Sequence, residues 1–359
     1  MKAMSATRQK GDEQGELSDT PVPPGKAALQ RWLSAFGPPA GGPASGVMRA
    51  LSTYGTIIAL VVMVIVFSIA EPATFPTFNN FRNIFNNMAI GAIIAAGLTL
   101  PMVSGDFDLS IGYVASFSGI LVVGLLSNNQ WPVPVAILVV VGVGLVIGII
   151  NGLIVSKLGV NAFIASLGTG TVVVGLNYAY SGGTPIQLTD SPSFTEISLG
   201  QFGPVPHLVV IMAVILVVLW VLLNRTVQGQ HIKAIGVNPE TSRRAGIAVD
   251  RSRIVTFAVA GTCAAITGIL LASNLGSGQV TAGDGFMLDS FAAAFLGSAA
   301  LREGQFHVVG TLIGVLTVAI GNNGLAMIGA PIFTQYVFSG GLLVLAVALG
   351  SIGRRYARS

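Results

Sequence analysis

The stretch Val133-Pro-Val-Ala-Ile-Leu-Val-Val-Val-Gly-Val-Gly144-Leu-Val-Ile-Gly148-Ile-Ile-Asn151-Gly152-Leu-Ile-Val-Ser156 decides the fold. It holds 24 residues and no charged side chain. As a helix it would run about 36 Å, more than the roughly 30 Å of hydrocarbon in a bilayer. Nine further apolar segments lie around it. Upstream are Leu51–Ala70, Met88–Val103 and Leu109–Ser127; directly downstream are Val160–Tyr180 and Val205–Leu223. After a polar stretch come Ile254–Asn274, Met287–Ala300, Val308–Ile328 and Pro331–Ile352. The segment Met287–Ala300 is short for a full span, which predicts a broken or partly re-entrant helix. The expected fold class is therefore an all-α integral membrane protein of about ten transmembrane helices.

Composition agrees. Of 359 residues, 52% are hydrophobic and only 9% charged, and the mean hydropathy is +0.78. A water-facing surface ordinarily needs about a quarter of its residues charged. The formal charge of +4 does not indicate a nucleic-acid partner, because the basic residues sit between the apolar runs as topology signals. With the N-terminus in the cytoplasm, 17 of the 18 Lys and Arg fall on the cytoplasmic side, and only Arg82 falls outside. That satisfies the positive-inside rule and puts both termini in the cytoplasm. Residues 1–50 hold Pro, Gly, Ser and mixed charge without periodicity (Pro21–Lys26, Gly37–Gly46) and read as a disordered cytoplasmic tail. They do not read as a cleavable signal, since the apolar segment begins too late. Residues 51–353 form the membrane domain, and 354–359 a basic cytoplasmic C-terminus.

The segments contain almost no ionisable side chain. Asp106, Asp108, Asp284 and Asp289 lie at segment ends or breaks. Carriers driven by protons or sodium usually bury a coupling carboxylate or histidine, although unwound backbone can coordinate sodium without one. No G-x-x-x-x-G-K-[ST] loop is present to bind ATP. Cys263 is alone, and His207, His231 and His307 have no ligand spacing, so no metal site is expected. No nucleophile–base pair marks an intramembrane enzyme.

Gly144, Gly148 and Gly152 repeat every fourth residue, as do Gly310 and Gly314. Small residues at this spacing let helices approach closely. Asn151 follows the first ladder, and Asn322 and Asn323 follow the second. An asparagine in hydrocarbon must find a partner or face water. These residues either hydrogen-bond between helices or line a polar path. Together with Phe163 and Thr169, Asn151 and Asn322 are the candidates for such a path. The two ladders, each preceded by an acidic turn (Asp106-Phe-Asp-Leu-Ser110 and Leu288-Asp289-Ser290), suggest an inverted internal repeat, with the third to fifth segments matching the eighth to tenth.

The largest cytoplasmic loop, Arg225 to Arg253, contains Asn238-Pro-Glu-Thr-Ser-Arg-Arg-Ala-Gly246-Ile247. Asn238 is a good N-cap, Pro239 suits the first helical position, and Glu240 favours the positive end. Gly246 is placed to end the helix. A short capped helix projecting Arg243 and Arg244 suggests a docking element rather than a plain connector.

This loop resembles the coupling loop of bacterial ABC-transporter permeases of the ribose and simple-sugar importer family, within the branched-chain amino acid/ribose permease superfamily. Gly97-Leu-Thr-Leu-Pro-Met-Val-Ser-Gly105-Asp-Phe-Asp108-Leu-Ser110-Ile-Gly112 resembles that family's Gly-Gly-Ile-Asp-Leu-Ser-Val-Gly signature. Asn151-Gly-Leu-Ile-Val-Ser-Lys157 with Phe163-Ile-Ala-Ser-Leu-Gly168-Thr169, and Gly283-Asp-Gly-Phe-Met-Leu-Asp289, are similar to two further segments. The likeness covers roughly Asn79 to Ser351. Asp106 stands where the family usually has glycine, Ala162 where proline is common, and Thr241-Ser242 where two alanines are usual. The resemblance implies a permease subunit of an importer in the bacterial plasma (inner) membrane. It would work as a homodimer or related heterodimer with a cytoplasmic ABC ATPase and an extracytoplasmic sugar-binding protein. ATP and Mg²⁺ would be held by the ATPase, and no cofactor by this chain. The coupling residues it implies are Asn238, Pro239, Glu240, Arg243, Arg244, Ala245, Gly246 and Ile247. The competing reading is a secondary carrier or facilitator for a small polar solute.

Overall fold

The apolar segments fold as helices whose limits are set by caps and breakers more than by the ends of hydrophobicity. The computed structural model describes residues 43–300 and 304–356. The chain divides between Arg49 and Ala50 into two units. Of the first, only residues 43–49 are described, within the first helix; the expected tail otherwise lies outside the described residues.

The described residues form thirteen helices. In order they are α1 (Pro43–Ala70), α2 (Phe78–Val103), α3 (Ile111–Ser127), α4 (Val133–Lys157), α5 (Ala162–Ser181), α6 (Pro192–Leu199), α7 (His207–Arg225), α8 (Val227–Val237), α9 (Pro239–Arg244), α10 (Val249–Leu275), α11 (Asp284–Ala299), α12 (Val308–Met327) and α13 (Phe333–Tyr356). Two small antiparallel pairs lie between them: β1 (Ile186–Gln187) with β4 (Ser277–Gly278), and β2 (Gln201–Phe202) with β3 (Val205–Pro206). By length and composition α2, α4, α5, α7, α10 and α12 can cross a membrane, while 55–70, 111–127 and 333–345 are apolar but shorter. The protein is all-α, as its sequence predicts.

Helix α2 is the axis of the fold. Met88 to Met102 is buried on every side except at Gly91, the pattern of a helix surrounded by others. It packs against α7, α10, α11 and α12. The outer helices show the reverse. Leu138 of α4 is 71% exposed and Val217 of α7 59%, as befits side chains facing lipid.

The glycine ladders set the closest contacts. A methyl group at Gly144 or Gly148 would collide with the backbone carbonyls of Gly261 and Phe257 on α10. Gly310 and Gly314 meet the carbonyls of Gly297 and Ala293 on α11 in the same way. Each ladder therefore serves helix packing, but against different neighbours.

The short helix α11 has 16 residues and starts inside the bundle. Its N-cap Gly283 lies against the carbonyl of Gly112, in the first turn of α3, and Ser116 Oγ accepts from Gly283 N at 2.9 Å and donates to Asp284 Oδ1 at 2.7 Å. The two helices thus meet at their N-termini. Around this junction α3 packs on α5 and α10, while α11 packs on α13 and α2.

Several limits differ from the sequence-based expectation. Helix α2 begins ten residues before Met88, because Thr77 Oγ1 accepts from Asn80 N at 3.2 Å and starts the helix in a polar, asparagine-rich stretch. Helix α10 begins at Val249, not Ile254. The segment Val227–Val237, expected as loop, is helix α8, capped by Thr226 on Gly229 N at 3.1 Å. Its Ile232 and Ile235 are buried, so packing outweighs two glycines and a polar composition.

Candidate functional site

The candidate docking residues fall together in one exposed element. Asn238 Oδ1 accepts from Thr241 N at 2.9 Å, capping α9, and Pro239 occupies the first turn. Ser242 faces inward, its Oγ donating to the Asn238 carbonyl at 2.9 Å. Chain reversal follows at Gly246, with φ of +82°, a region L side chains rarely adopt. Ile247 N then donates to Ser242 O at 3.0 Å, closing the turn. Pro239, Glu240, Arg243, Arg244, Ala245 and Gly246 are exposed, and Val237 at the helix entrance is 88% exposed. The element therefore offers a small apolar patch rimmed by charge.

One ion-pair cluster ties this element to the bundle, and a second lies one turn further along α10. Asp250, in the first turn of α10, receives Arg243 Nη2 on Oδ1 at 3.1 Å and Lys157 Nζ on Oδ2 at 3.0 Å. Lys157 is the last residue of α4, so one carboxylate joins α9, α10 and α4. Each such exposed pair contributes about 0–1 kcal/mol; its value here is geometric. Arg244 Nε reaches Glu240 Oε1 at 3.2 Å within α9. One turn further along α10, Arg253 grips Asp106 with Nη2 to Oδ1 at 3.0 Å and Nε to Oδ2 at 2.9 Å. Asp106 is buried and lies on the link between α2 and α3. Asp106 thus holds the start of α10 against that link.

The four path candidates separate. Asn151 is fully buried, donates to Ser110 Oγ at 2.8 Å and accepts from Thr169 Oγ1. Ser110 in turn donates to Asp108 Oδ1 through Oγ at 2.6 Å and through N at 2.9 Å. Asn151 and Thr169 therefore belong to a hydrogen-bonded pin between α3, α4 and α5, the first of the two alternatives open from sequence. Phe163 stands on the outer face of α5, 52% exposed, beside Ile164 at 65%. Asn322 lines a cavity between α2, α11, α12 and α13, together with Asn87, Asp289, Ser290, Asn323 and Gln335. The sequence reading missed Asp250 and Arg253 as organisers of the region around α9. Their charge next to an apolar run was visible, but their partners lie 7 to 147 residues away.

Among the described residues the chain is an all-helical bundle with six helices long and apolar enough to cross a membrane and one exposed, capped helix, which makes it a multi-pass membrane protein. The chain belongs to the family described as branched-chain amino acid transport system / permease component, which it matches over residues 80–347. It is 38% identical over 305 residues to the ribose import permease protein RbsC of Bacillus subtilis, covering 85% of this chain and 93% of that protein. With RbsC of Escherichia coli K12 it shares 34% over 302 residues, 81% of this chain and 91% of the relative. With the galactose/methyl galactoside import permease protein MglC of Haemophilus influenzae it shares 32% over 308 residues, 81% and 91%. No solved structure matches the chain. It is a multi-pass protein of the bacterial plasma (inner) membrane.

Proposed function

We propose that this chain is the permease subunit of an ATP-driven importer for a monosaccharide or a related small polar solute. The observation that carries this reading is the capped helix α9, exposed and joined by Asp250 to both α10 and α4. A separate cytoplasmic ATPase, holding ATP and Mg²⁺, binds α9 through Val237, Pro239 and the Arg243–Arg244 face. Its closure on ATP shifts α9. Because Arg243 and Lys157 share the two oxygens of Asp250, the shift reaches the ends of α4 and α10 as a unit. The close glycine contact of α4 with α10 then carries the two helices together. Tightly packed interfaces move between discrete arrangements rather than deforming continuously, which suits alternating access. The chain itself hydrolyses nothing.

The sugar class comes from the relatives, whose names give ribose and galactose import, and accords with segments nearly free of ionisable groups. An extracytoplasmic binding protein delivers the solute to the outer face, which includes the segment between α5 and α7. Two copies, identical or related, form the working unit. In this reading α9 and the clustered basic residues face the cytoplasm.

The test is uptake into proteoliposomes containing this chain, its ATPase and its binding protein, with a panel of pentoses, hexoses and polyols. The reading predicts uptake of one solute that needs ATP and stops when Glu240→Ala and Arg243→Ala are combined. Uptake by the chain alone, without an ATPase, favours the carrier and overturns it.

A further inference from the structure

The link between α2 and α3, residues 104–110, is where the helices around α9 meet the rest of the bundle. Gly105 turns the chain there with φ of +87°, a conformation open to glycine and strained for other residues. The region from α8 to α10 grips this link at two points. At the end of α8, Gly236 sits so close to the carbonyl of Val103 that a methyl group would collide with it. At the start of α10, Arg253 holds Asp106 through Nη2 and Nε. Helix α9 lies between these two grips along the chain.

The grip on Asp106 is stiff. The Asp106 side chain is 5% exposed and that of Arg253 26%, and salt screens a pair so placed far less than an exposed one. Two contacts between a planar guanidinium and a carboxylate fix direction as well as distance. A shift at the start of α10 therefore carries Asp106 with it.

Phe107 follows directly. It stands between two buried aspartates, yet is itself 36% exposed. Its ring centre lies 6.1 Å from that of Phe291 and 6.4 Å from that of Phe295, both on α11. Phe291, behind it, is only 9% exposed. On the opposite side, Ser166 of α5 accepts from Leu109 N at 3.0 Å and donates to the Phe107 carbonyl at 3.4 Å. Phe107 thus bridges α5 and α11. Asp108, next along, is fully buried and its Oδ2 makes no hydrogen bond. That is a cost which any arrangement of the link offering a donor would remove. The link therefore has a stiff joint at one residue, a ring held only by packing at the next, and an unmet hydrogen bond at the third.

We propose that Phe107 closes the solute path at the α9 end of the bundle, and that the Asp106–Arg253 pair is the joint through which movement of α9 swings it. The proposal rests on the importer reading above and adds which segment moves and which residues position it.

A reporter behind the ring tests it. Cys263 is buried, so in Phe291→Cys a small polar thiol reagent reports on position 291. The chain is assembled with its ATPase in lipid nanodiscs. Labelling is expected to differ at least about fivefold between the ATP-bound and nucleotide-free states, the low end of coupling between distant sites. Adding Phe107→Ala makes labelling fast in both states. Asp106→Asn combined with Arg253→Gln keeps both side chains near their size and leaves no lone buried charge. This double variant is expected to abolish the nucleotide dependence. A pair that served stability alone would lower the melting temperature and leave that dependence intact. Equal labelling in the two states with the pair intact, slow labelling in Phe107→Ala, or a nucleotide dependence that survives loss of the pair overturns the proposal. The first of these needs no substitution in the joint, so the proposal can fail even where the double variant does not assemble. If it fails while the complex still imports a solute with ATP, the importer reading stands; if the chain moves solute without an ATPase, both fall.

Discussion

Asn151 has no exposed surface, yet both ends of its amide are engaged, by Ser110 of the α2–α3 link and by Thr169 of α5. An amide in such a place stabilises the bundle by holding three segments in register. Asn151→Leu keeps the volume and removes both bonds, leaving Ser110 with only its Asp108 bond. It is expected to cost about 1–2 kcal/mol, the scale of hydrogen bonds between membrane helices, and to lower the melting temperature in detergent. An unchanged melting temperature would show that the amide is not a structural pin. At this scale the sequence was half legible. That Asn151 and Thr169 were notable followed from their polarity inside apolar runs. That they touch did not, because they stand 18 residues apart and the contact, like the bond from Asn151 to Ser110 41 residues away, exists only once α3, α4 and α5 pack. Asn322 was visible for the same reason, but its cavity was not. Ser290, Asn87 and Gln335 come from three other helices, and Ser290 looks like any small residue in an apolar helix.

Among the elements, α9 was the most legible, because capping is local chemistry. Asn238, Pro239, Glu240 and Gly246 stand in consecutive register, and the helix observed, Pro239–Arg244, uses each where it was expected. Asn238→Ala removes the acceptor for Thr241 N and is expected to weaken the helix by about 1 kcal/mol. Hydrogen–deuterium exchange over 239–245 should speed up while the transmembrane helices stay protected. Exchange unchanged at α9 would mean that the cap does not hold it. Elements fixed by tertiary contact were harder to read. Helix α8 has an unpromising composition and forms because Ile232 and Ile235 are buried, with Gly236 seated against the carbonyl of Val103. The first ten residues of α2 lack hydrophobicity, and a hydropathy argument starts the helix too late. The short segment expected as broken or partly re-entrant is one continuous helix of 16 residues, α11, whose start meets that of α3.

For the whole molecule, the arrangement joins the exposed helix α9 to a packed bundle through one carboxylate. Asp250→Asn preserves shape and removes the charge that Arg243 and Lys157 share. Since exposed pairs contribute about 0–1 kcal/mol each, the variant is expected to fold and to reach the membrane at wild-type levels. Coupling is where it should fail: ATP hydrolysis by the assembled complex persists, while solute moved per ATP falls. Equal loss of both would place Asp250 in assembly rather than transmission. The general plan of helices was readable from apolar runs alone, because the bilayer imposes a length and a polarity on every crossing. What the membrane does not impose, namely which helices touch and which polar atoms are left open, had to come from the structure.

The central claim is that α9 is the surface on which a separate ATPase docks. Site-directed cross-linking tests it most directly. Arg244→Cys, 80% exposed at its side chain, is introduced into the assembled complex, where the buried Cys263 gives little background, and Leu138→Cys on the lipid-facing side serves as control. The account predicts a cross-link from position 244 to the ATPase subunit that changes in yield between the ATP-bound and nucleotide-free states, and none from position 138. A complex that assembles and hydrolyses ATP without any cross-link from position 244 in either state would contradict it.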